Sequence, residues 1–398
     1  MKENKRDALI IAGALLISVI VGIILQNNIE VALMFQPLGT IYINLIKMIM
    51  VPLVLSSLIL GISSISDIKK IGKMGIWTIG IFLGTTAGAV VIGLILSNVF
   101  KPGKGISIEN ATYAEKVMPS IVDQIVNVFP NNILNAMLEA NMLQIIFIAL
   151  VIGIGLVKIA PKGKIFRDLT QDVFDIMIWL TKVIMKLTPF GILGLMIPTV
   201  AQNGIRVLLP LGKLILVFYL AVAIQVGIIY VLLLKSLSDF SIKEFIKAML
   251  PAQIIAFMTC SSAAALPVSL QRAQENLNIS KEVSGFVLPL GNTINMDGNA
   301  LYQGIVVLFI AQAYGVNLSL IEQLVVVLTG TLASIGAAGV PGAGMIVLST
   351  VLASVGLPID GIALVAGIDR ILDMGRTLTN VTGDVVTACV VNKFMRQE

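Results

Sequence analysis

The chain has no histidine among its 398 residues. That removes the commonest metal ligand and the side chain that most often moves protons near neutral pH. Its two cysteines, Cys260 and Cys389, sit in apolar surroundings and offer no disulfide scaffold. With no histidine to activate it, Cys260 is not a candidate nucleophile. Charge is also scarce. Asp, Glu, Lys and Arg make up 12% of the residues, about half the share in an ordinary soluble domain. Hydrophobic residues make up 57%, and mean hydropathy is +0.99. These values place the chain among polytopic membrane proteins. A net charge of +5 is small and calls for no nucleic acid.

A membrane-crossing helix needs roughly 20 apolar residues. Runs of this kind predict spans over 8–26, 41–65, 76–99, 141–158, 172–200 and 209–235, the fifth broken at Pro189. The basic start followed by Ala8–Leu25 has the outline of a signal peptide. No clear small-residue cleavage site follows it and further spans do, so it reads as a retained first helix. Lys2, Lys5 and Arg6 precede the first span, and Lys69, Lys70 and Lys73 follow the second. Lys158, Lys162, Lys164 and Arg167 follow the fourth, and Lys235, Lys243 and Lys247 follow the sixth. The alternation fits a cytoplasmic N-terminus in a cell membrane.

After residue 240 the pattern changes. Residues 243–259 are apolar but short, and they run into TCSSAAALP. A full span over 281–312 holds GNTINMDGNALYQG. Two more short arms, 321–334 and 345–356, flank IGAAGVPGAG, and a last span covers 357–391. Each interrupted pair precedes a full span that carries polar residues, which reads as a repeated unit. Helices broken at membrane depth free backbone groups that only protein or a water-filled cavity can satisfy. In transporters such breaks build the binding site.

The last span carries a polar stripe. At about 100° per residue, Asp369, Arg370, Asp373, Arg376, Thr377, Asn380 and Asp384 fall within an arc of about 120°. Charged groups at membrane depth mark pathways and sites. In the span over 281–312, Asp297 has no Lys or Arg within eight residues on either side. Such a carboxylate is either protonated or holds something positive. Asn295, Asp297, Asn380 and Asp384 are oxygen donors of the type hard cations favour.

TCSSAAALP, NTINMDG, ASIGAAGVPGAG and DRILDMGRTLTNVTGD, in that order, resemble the four signatures of the dicarboxylate/amino acid:cation symporters, the glutamate transporter family. The likeness extends more weakly to LIKMIMVPLVLSSLILGISS and NMLQIIFIALVIGIGL. The resemblance implies an all-α polytopic membrane protein with eight transmembrane helices, two re-entrant helical hairpins and inverted repeats. It implies a homotrimer in membrane lipid. Residues 1–75 and 101–205 would form the scaffold (helices one, two, four and five). Residues 76–100 (helix three) and 206–398 (helices six to eight with both hairpins) would form a transport domain that moves as an elevator, with both termini cytoplasmic.

The resemblance also assigns roles. Arg376 pairs with the side-chain carboxylate of an acidic amino acid, and Asp373 holds its ammonium. Thr377 and Asn380 assist. Ser261 and Ser262 in the first hairpin, and Val340, Ala343 and Gly344 in the second, contact the α-carboxylate. Na⁺, as coupling ion, takes three sites. The first uses the carbonyls of Gly291, Asn295 and Asn380 with the Asp384 carboxylate. The second uses Thr85, Thr86, Asn295 and Asp297. The third uses carbonyls of Thr293, Met296, Ser334, Ile335 and Ala337. Asn299 stands where many members have Thr, a position that bears on the choice between aspartate and glutamate. Ala337 replaces a frequent Thr. Cys260 and Arg370 show the family's extra arginine on the last helix, not at the first hairpin tip. Gln303 stands where proton-moving animal members have Glu.

The expected function is Na⁺-coupled symport of L-aspartate or L-glutamate. A proton-coupled carrier of the same substrates is the alternative. A C4-dicarboxylate carrier would leave Asp373 without an ammonium to hold. An intramembrane aspartyl protease built on Asp297 and Asp384 would leave Arg376 and the hairpins without a role. A passive channel would not couple fluxes.

Overall fold

The computed structural model describes residues 2–64, 73–106, 126, 129–139, 141–160, 162–203, 208–334 and 342–396. Among these residues the secondary structure is helical, with no strand. Lys73–Phe100, Leu209–Leu237 and Lys281–Ala313 are long and apolar enough to cross a membrane.

The front of the chain forms α1 (Lys2–Ile24), α2 (Ile29–Leu33), α3 (Gln36–Ser64), α4 (Lys73–Phe100), α5 (Ile133–Leu138), α6 (Met142–Ile159), α7 (Lys164–Lys186) and α8 (Thr188–Asn203). Here α1 lies on α8, and α3 lies on α6, α7 and α8. The α3–α8 crossing is backbone on backbone: a Cβ at Gly194 would strike the main chain of Gly39. Small residues permit that approach where lipid supplies no hydrophobic drive between helices. The expected span over 172–200 is two helices, and the break falls at Leu187. Pro189 lacks an N–H and its ring clashes with a preceding turn, so it is tolerated in the first turn of α8 and not inside α7.

The second half forms α9 (Leu208–Ile224), a π-turn over Gln225–Ile229, and α10 (Tyr230–Leu237). Then come α11 (Ile242–Thr259), α12 (Ser262–Glu275), α13 (Lys281–Ile294), α14 (Asp297–Ala313), α15 (Leu320–Ser334), α16 (Ala343–Ser354), α17 (Ile362–Ala366) and α18 (Asp369–Arg396). A capping box starts α11, with Ser241 and Glu244 each bonding the other's backbone. It ends where Cys260 turns left-handed at φ 53°. Ser261 then caps α12 by accepting from Ala264 N at 3.3 Å.

The span expected over 281–312 is likewise two helices. Asn295 is extended, with φ −88° and ψ 92°, and separates α13 from α14. The expected last span over 357–391 resolves into the short α17 and the long α18, which starts at Asp369 and runs to Arg396. Packed around α18 are α4 and the helices from α9 to α14. The α4–α14 seam is tight: a Cβ at Gly93 would meet Leu301 O at 2.6 Å, and one at Gly304 would strike Val90 O. Gly304→Val is therefore expected to destabilise by about 1–3 kcal/mol through overpacking. Gly285→Val, where a Cβ meets open space, is the control. Thermal unfolding of purified protein checks this, and equal melting temperatures for the two variants would refute it.

Candidate functional site

The polar stripe of α18 faces inward. Asp369, Asp373, Arg376, Thr377, Asn380 and Asp384 are all buried, and Arg370 is half-buried. Arg376 is fully enclosed, at 0% exposure. Its Nη2 lies 3.0 Å from Asp369 Oδ1 and 3.0 Å from Asp373 Oδ1. Its Nε donates to Asp373 Oδ1 at 3.2 Å. Its guanidinium stacks over the Tyr302 ring, 4.2 Å from the centroid. That geometry suits a planar cation, which both pairs and stacks. The two Nη2 contacts are close enough for ion pairing but off-axis for hydrogen bonding. Nη1 and Nη2 consequently have no hydrogen-bond acceptor among the described residues. Opposite them lies Gly344, where a Cβ would strike Nη1. At the other side of Asp373, Gly342 N donates to Oδ2 at 3.2 Å, which ties the start of α16 to α18.

The α13–α14 break is wedged against the next turns of α18. Asn295 donates its amide to Asp384 Oδ1 at 2.9 Å and to Asn380 O at 3.4 Å. Asn380 Oδ1 accepts from Gly298 N at 2.7 Å, satisfying a free donor in the first turn of α14. Gly298 permits this: a Cβ there would meet Arg376 Cα at 2.5 Å. Asn380 Nδ2 and Asn299 Nδ2 both turn to Met296 Sδ, at 3.2 and 3.6 Å. A Cβ at Gly291 would strike the Asp384 carboxylate. The structure thus brings Gly291, Asn295, Asn380 and Asp384 together. The Gly291 carbonyl already accepts from Asn295 N at 2.8 Å, so any cation would use its second lone pair.

Asp297 is also fully buried, and four neutral donors surround it. Oδ1 accepts from Thr86 at 2.6 Å and Thr85 at 3.2 Å. Oδ2 accepts from Tyr230 at 2.7 Å and Gln225 at 3.1 Å. The Asn295 amide turns to Asp384 rather than here. Of the third expected set, Met296 packs with Ala333 and Val347, and Ser334 Oγ is buried without a hydrogen-bond partner among the described residues. Thr293 is exposed. Ile335, Ala337 and Val340 lie outside the described residues. Ser261 is engaged in capping α12, while Ser262 Oγ is buried without a hydrogen-bond partner among the described residues. Ala343 opens α16 beside Gly344. Thr377 donates to the Asp373 carbonyl at 2.9 Å.

Gln225 and Tyr230 were not anticipated. On an α-helix, residues five apart diverge by about 140°. The π-turn between them closes that angle and aims both at one carboxylate oxygen. The available signal was Gln225 itself, a lone amide in VFYLAVAIQVGIIYVLLL. Tyr302 and Asp369, which hold Arg376 in place, also lacked an assigned role. Removing the Tyr230 hydroxyl takes one hydrogen bond from a charged acceptor, worth about 1.5–3 kcal/mol. Tyr230→Phe is therefore expected to lower the melting temperature while keeping the ring's packing. A melting temperature at or above that of the unmodified protein would show that the hydroxyl does not hold Asp297.

Among the described residues no group of three or more Cys, Asp or Glu side chains converges. A bound cation would draw on single carboxylates with carbonyl, amide and hydroxyl oxygens, the donor set of hard ions.

The sodium:dicarboxylate symporter family profile matches residues 8–394. The chain is 39% identical over 395 residues to the proton/sodium-glutamate symport protein of Geobacillus stearothermophilus, covering 96% of this chain and 93% of that protein. It is 35% identical over 390 residues to the protein of the same name in Bacillus subtilis (strain 168), covering 96% and 90%. It is 34% identical over 410 residues to the proton/glutamate-aspartate symporter of Escherichia coli (strain K12), covering 96% and 92%. The chain belongs to the sodium:dicarboxylate symporter family and is an integral membrane transporter, not an enzyme.

Proposed function

We propose that this chain is a Na⁺-coupled symporter for acidic amino acids, L-aspartate or L-glutamate. The observation that carries the reading is Arg376: a fully buried guanidinium held by two acids and a tyrosine, whose Nη1 has no hydrogen-bond acceptor among the described residues. Nη1 would donate to a substrate carboxylate, and a bidentate grip would draw Nη2 from its ion pairs. Asp373, one turn back, would take the substrate ammonium, and Gly344 leaves the room a side chain would fill. Thr377, Asn380, Ser261, Ser262, Asn299, Val340 and Ala343 would complete the substrate shell. The names of the relatives support the same substrates.

Coupling follows from shared parts. Asn380 and Asp384 stand on the same helix as Arg376, and Asn380 also holds the first turn of α14. Na⁺ among Gly291, Asn295, Asn380 and Asp384, or among Thr85, Thr86 and Asp297, would fix α18 against α14 and hold Arg376 in register. The third set around Met296 and Ser334 would tie in the arm preceding α16. Cation and substrate would then each raise the other's affinity by the same factor.

Within the described residues α1, α3 and α6 to α8 pack together, and α4 and α9 to α18 pack together, with α16 on α3 and α17 on α8 joining the two groups. The reading assigns 1–75 and 101–205 to a scaffold, and 76–100 and 206–398 to an elevator-type transport domain. It includes eight membrane helices, two re-entrant hairpins, cytoplasmic termini and a homotrimer. A second reading, proton coupling, is favoured by the relatives' names and by an Asp297 whose four described donors are all neutral.

Uptake of labelled L-aspartate and L-glutamate into proteoliposomes tests both. One set carries an inward Na⁺ gradient, the other a proton gradient without Na⁺. Uptake in the first set alone supports Na⁺ coupling. Uptake driven by protons alone would assign Asp297 and Asp384 to proton carriage and end the sodium reading.

A further inference from the structure

Beside the Asp297 cluster, on its outer side, a groove of about 280 Å³ runs between α4 and the π-turn region. Gly80, Gly84 and Gly88, on one face of α4, form one wall, and Ile229 and Leu233 help form the other. At each of the three glycines a Cβ would meet nothing within 4 Å. Glycines usually let another helix approach, but here no described helix does. The lining carries no charged residue.

Both walls belong to helices long and apolar enough to cross a membrane. The groove is flanked by exposed Ile76, Ile95, Ile228 and Leu232, so it opens onto the same apolar surface that faces lipid. Its α4 wall runs from Gly80 to Ile92. At 1.5 Å per residue that is about 18 Å. One leaflet is about half of a ~30 Å hydrocarbon core, or ~15 Å. Length, polarity and position therefore match one extended hydrocarbon chain.

Thr85 and Gln225 line the groove and also hydrogen-bond Asp297. The Thr85 hydroxyl is half-buried and is shared between Asp297 Oδ1 and the Phe82 carbonyl, each at 3.2 Å. Water in the groove would compete for that hydroxyl, whereas Gln225, at 0% exposure, is already closed off. Hydrocarbon in the groove would exclude that water and keep the polar cluster in a low dielectric, where its interactions are stronger.

We propose that this groove binds one acyl chain of a membrane lipid, and that the bound chain tightens the cation site at Asp297 by sealing Thr85 from water. The second clause rests on the proposed cation coupling; the first does not.

Native mass spectrometry of the full chain, released from vesicles containing 1-palmitoyl-2-oleoyl phosphatidylglycerol, tests the first clause. The unmodified chain is expected to retain one lipid that Gly84→Leu and Gly88→Leu lose. Val91→Leu, exposed on α4 but outside the groove lining, keeps it. Gly84→Ala, a milder filling of the same open space, gives intermediate retention if the leucine variants fold poorly. Equal retention in all variants overturns the proposal. So does a change in oligomeric mass on filling the groove, which would place a second copy there.

Thermal stabilisation by Na⁺, with and without that lipid, tests the second clause. The Na⁺ concentration for half-maximal stabilisation is expected to fall about fivefold on adding lipid to delipidated protein, and to stay fixed in Gly84→Leu. A lipid-independent Na⁺ response in the unmodified chain overturns the sealing role. If Na⁺ stabilises in neither condition while filling the groove still displaces lipid, the groove assignment stands and the sodium reading falls.

Discussion

Arg376→Lys is expected to cut acidic amino acid uptake by at least about 100-fold while leaving the protein folded, a loss of about 2.7 kcal/mol. Lysine keeps the positive charge between Asp369 and Asp373, so the buried acids stay compensated. What it loses is the planar fork: an ammonium is a point charge and cannot present two parallel donors to a carboxylate. It also loses the stacking on Tyr302. Arg376→Ala should do worse for a different reason. It leaves two buried carboxylates without a cation, and breaking a buried pair in this way costs about 3–5 kcal/mol. The pair of variants separates recognition from folding. Uptake by the Lys variant within about threefold of the unmodified protein, at equal expression, would mean Arg376 is a structural counter-ion and not the carboxylate receptor.

Asp297→Asn is expected to raise the Na⁺ concentration for half-maximal uptake at least about 30-fold, or about 2 kcal/mol. Four neutral donors converge on this carboxylate, and none of them brings positive charge. An ionised Asp297 so placed is the strongest local attractor for a cation. An amide keeps the shape but removes the charge, and its NH₂ then faces two donors in place of an acceptor. Without Na⁺ the variant should be no less stable than the unmodified chain, because a buried charge has been removed. With Na⁺ the unmodified chain should gain stability by mass action and the variant should not. Unchanged Na⁺ dependence of both uptake and melting temperature would take Asp297 out of the coupling path.

The stripe on α18 was legible because seven polar residues at helical spacing stand out against an apolar background. Nothing but an inward face explains Asn380 and Asp384 continuing it past the arginine. The arms of α11 and α15 were legible to within a residue, because the small-residue stretch after Thr259 and the glycine-rich stretch after Ser334 mark where they stop. The α13–α14 break was not. It falls at Asn295–Met296, with no Gly or Pro at the turn itself, inside a run whose apolar residues continue on both sides. What opens the chain there is tertiary: the Asn295 amide is taken by Asp384 and Asn380, and Asn380 caps α14. Such partners come from far along the chain and leave no local trace. Pro189 was correctly read as a breaker, yet the break came two residues earlier, because proline disturbs the turn before it.

The π-turn on the α9–α10 helix sets which spacings can build this site. At a spacing of five, Gln225 and Tyr230 share a face because the π-turn takes up one surplus residue. At a spacing of four the same pair would share a face of a regular α-helix, about 40° apart. Losing one residue from 226 to 229 would therefore remove the bulge and keep glutamine and tyrosine together. Regular α-helical winding at the present spacing would instead swing Tyr230 away from Asp297. In sequence comparisons, a glutamine and a tyrosine four apart can thus form the same pair without the bulge.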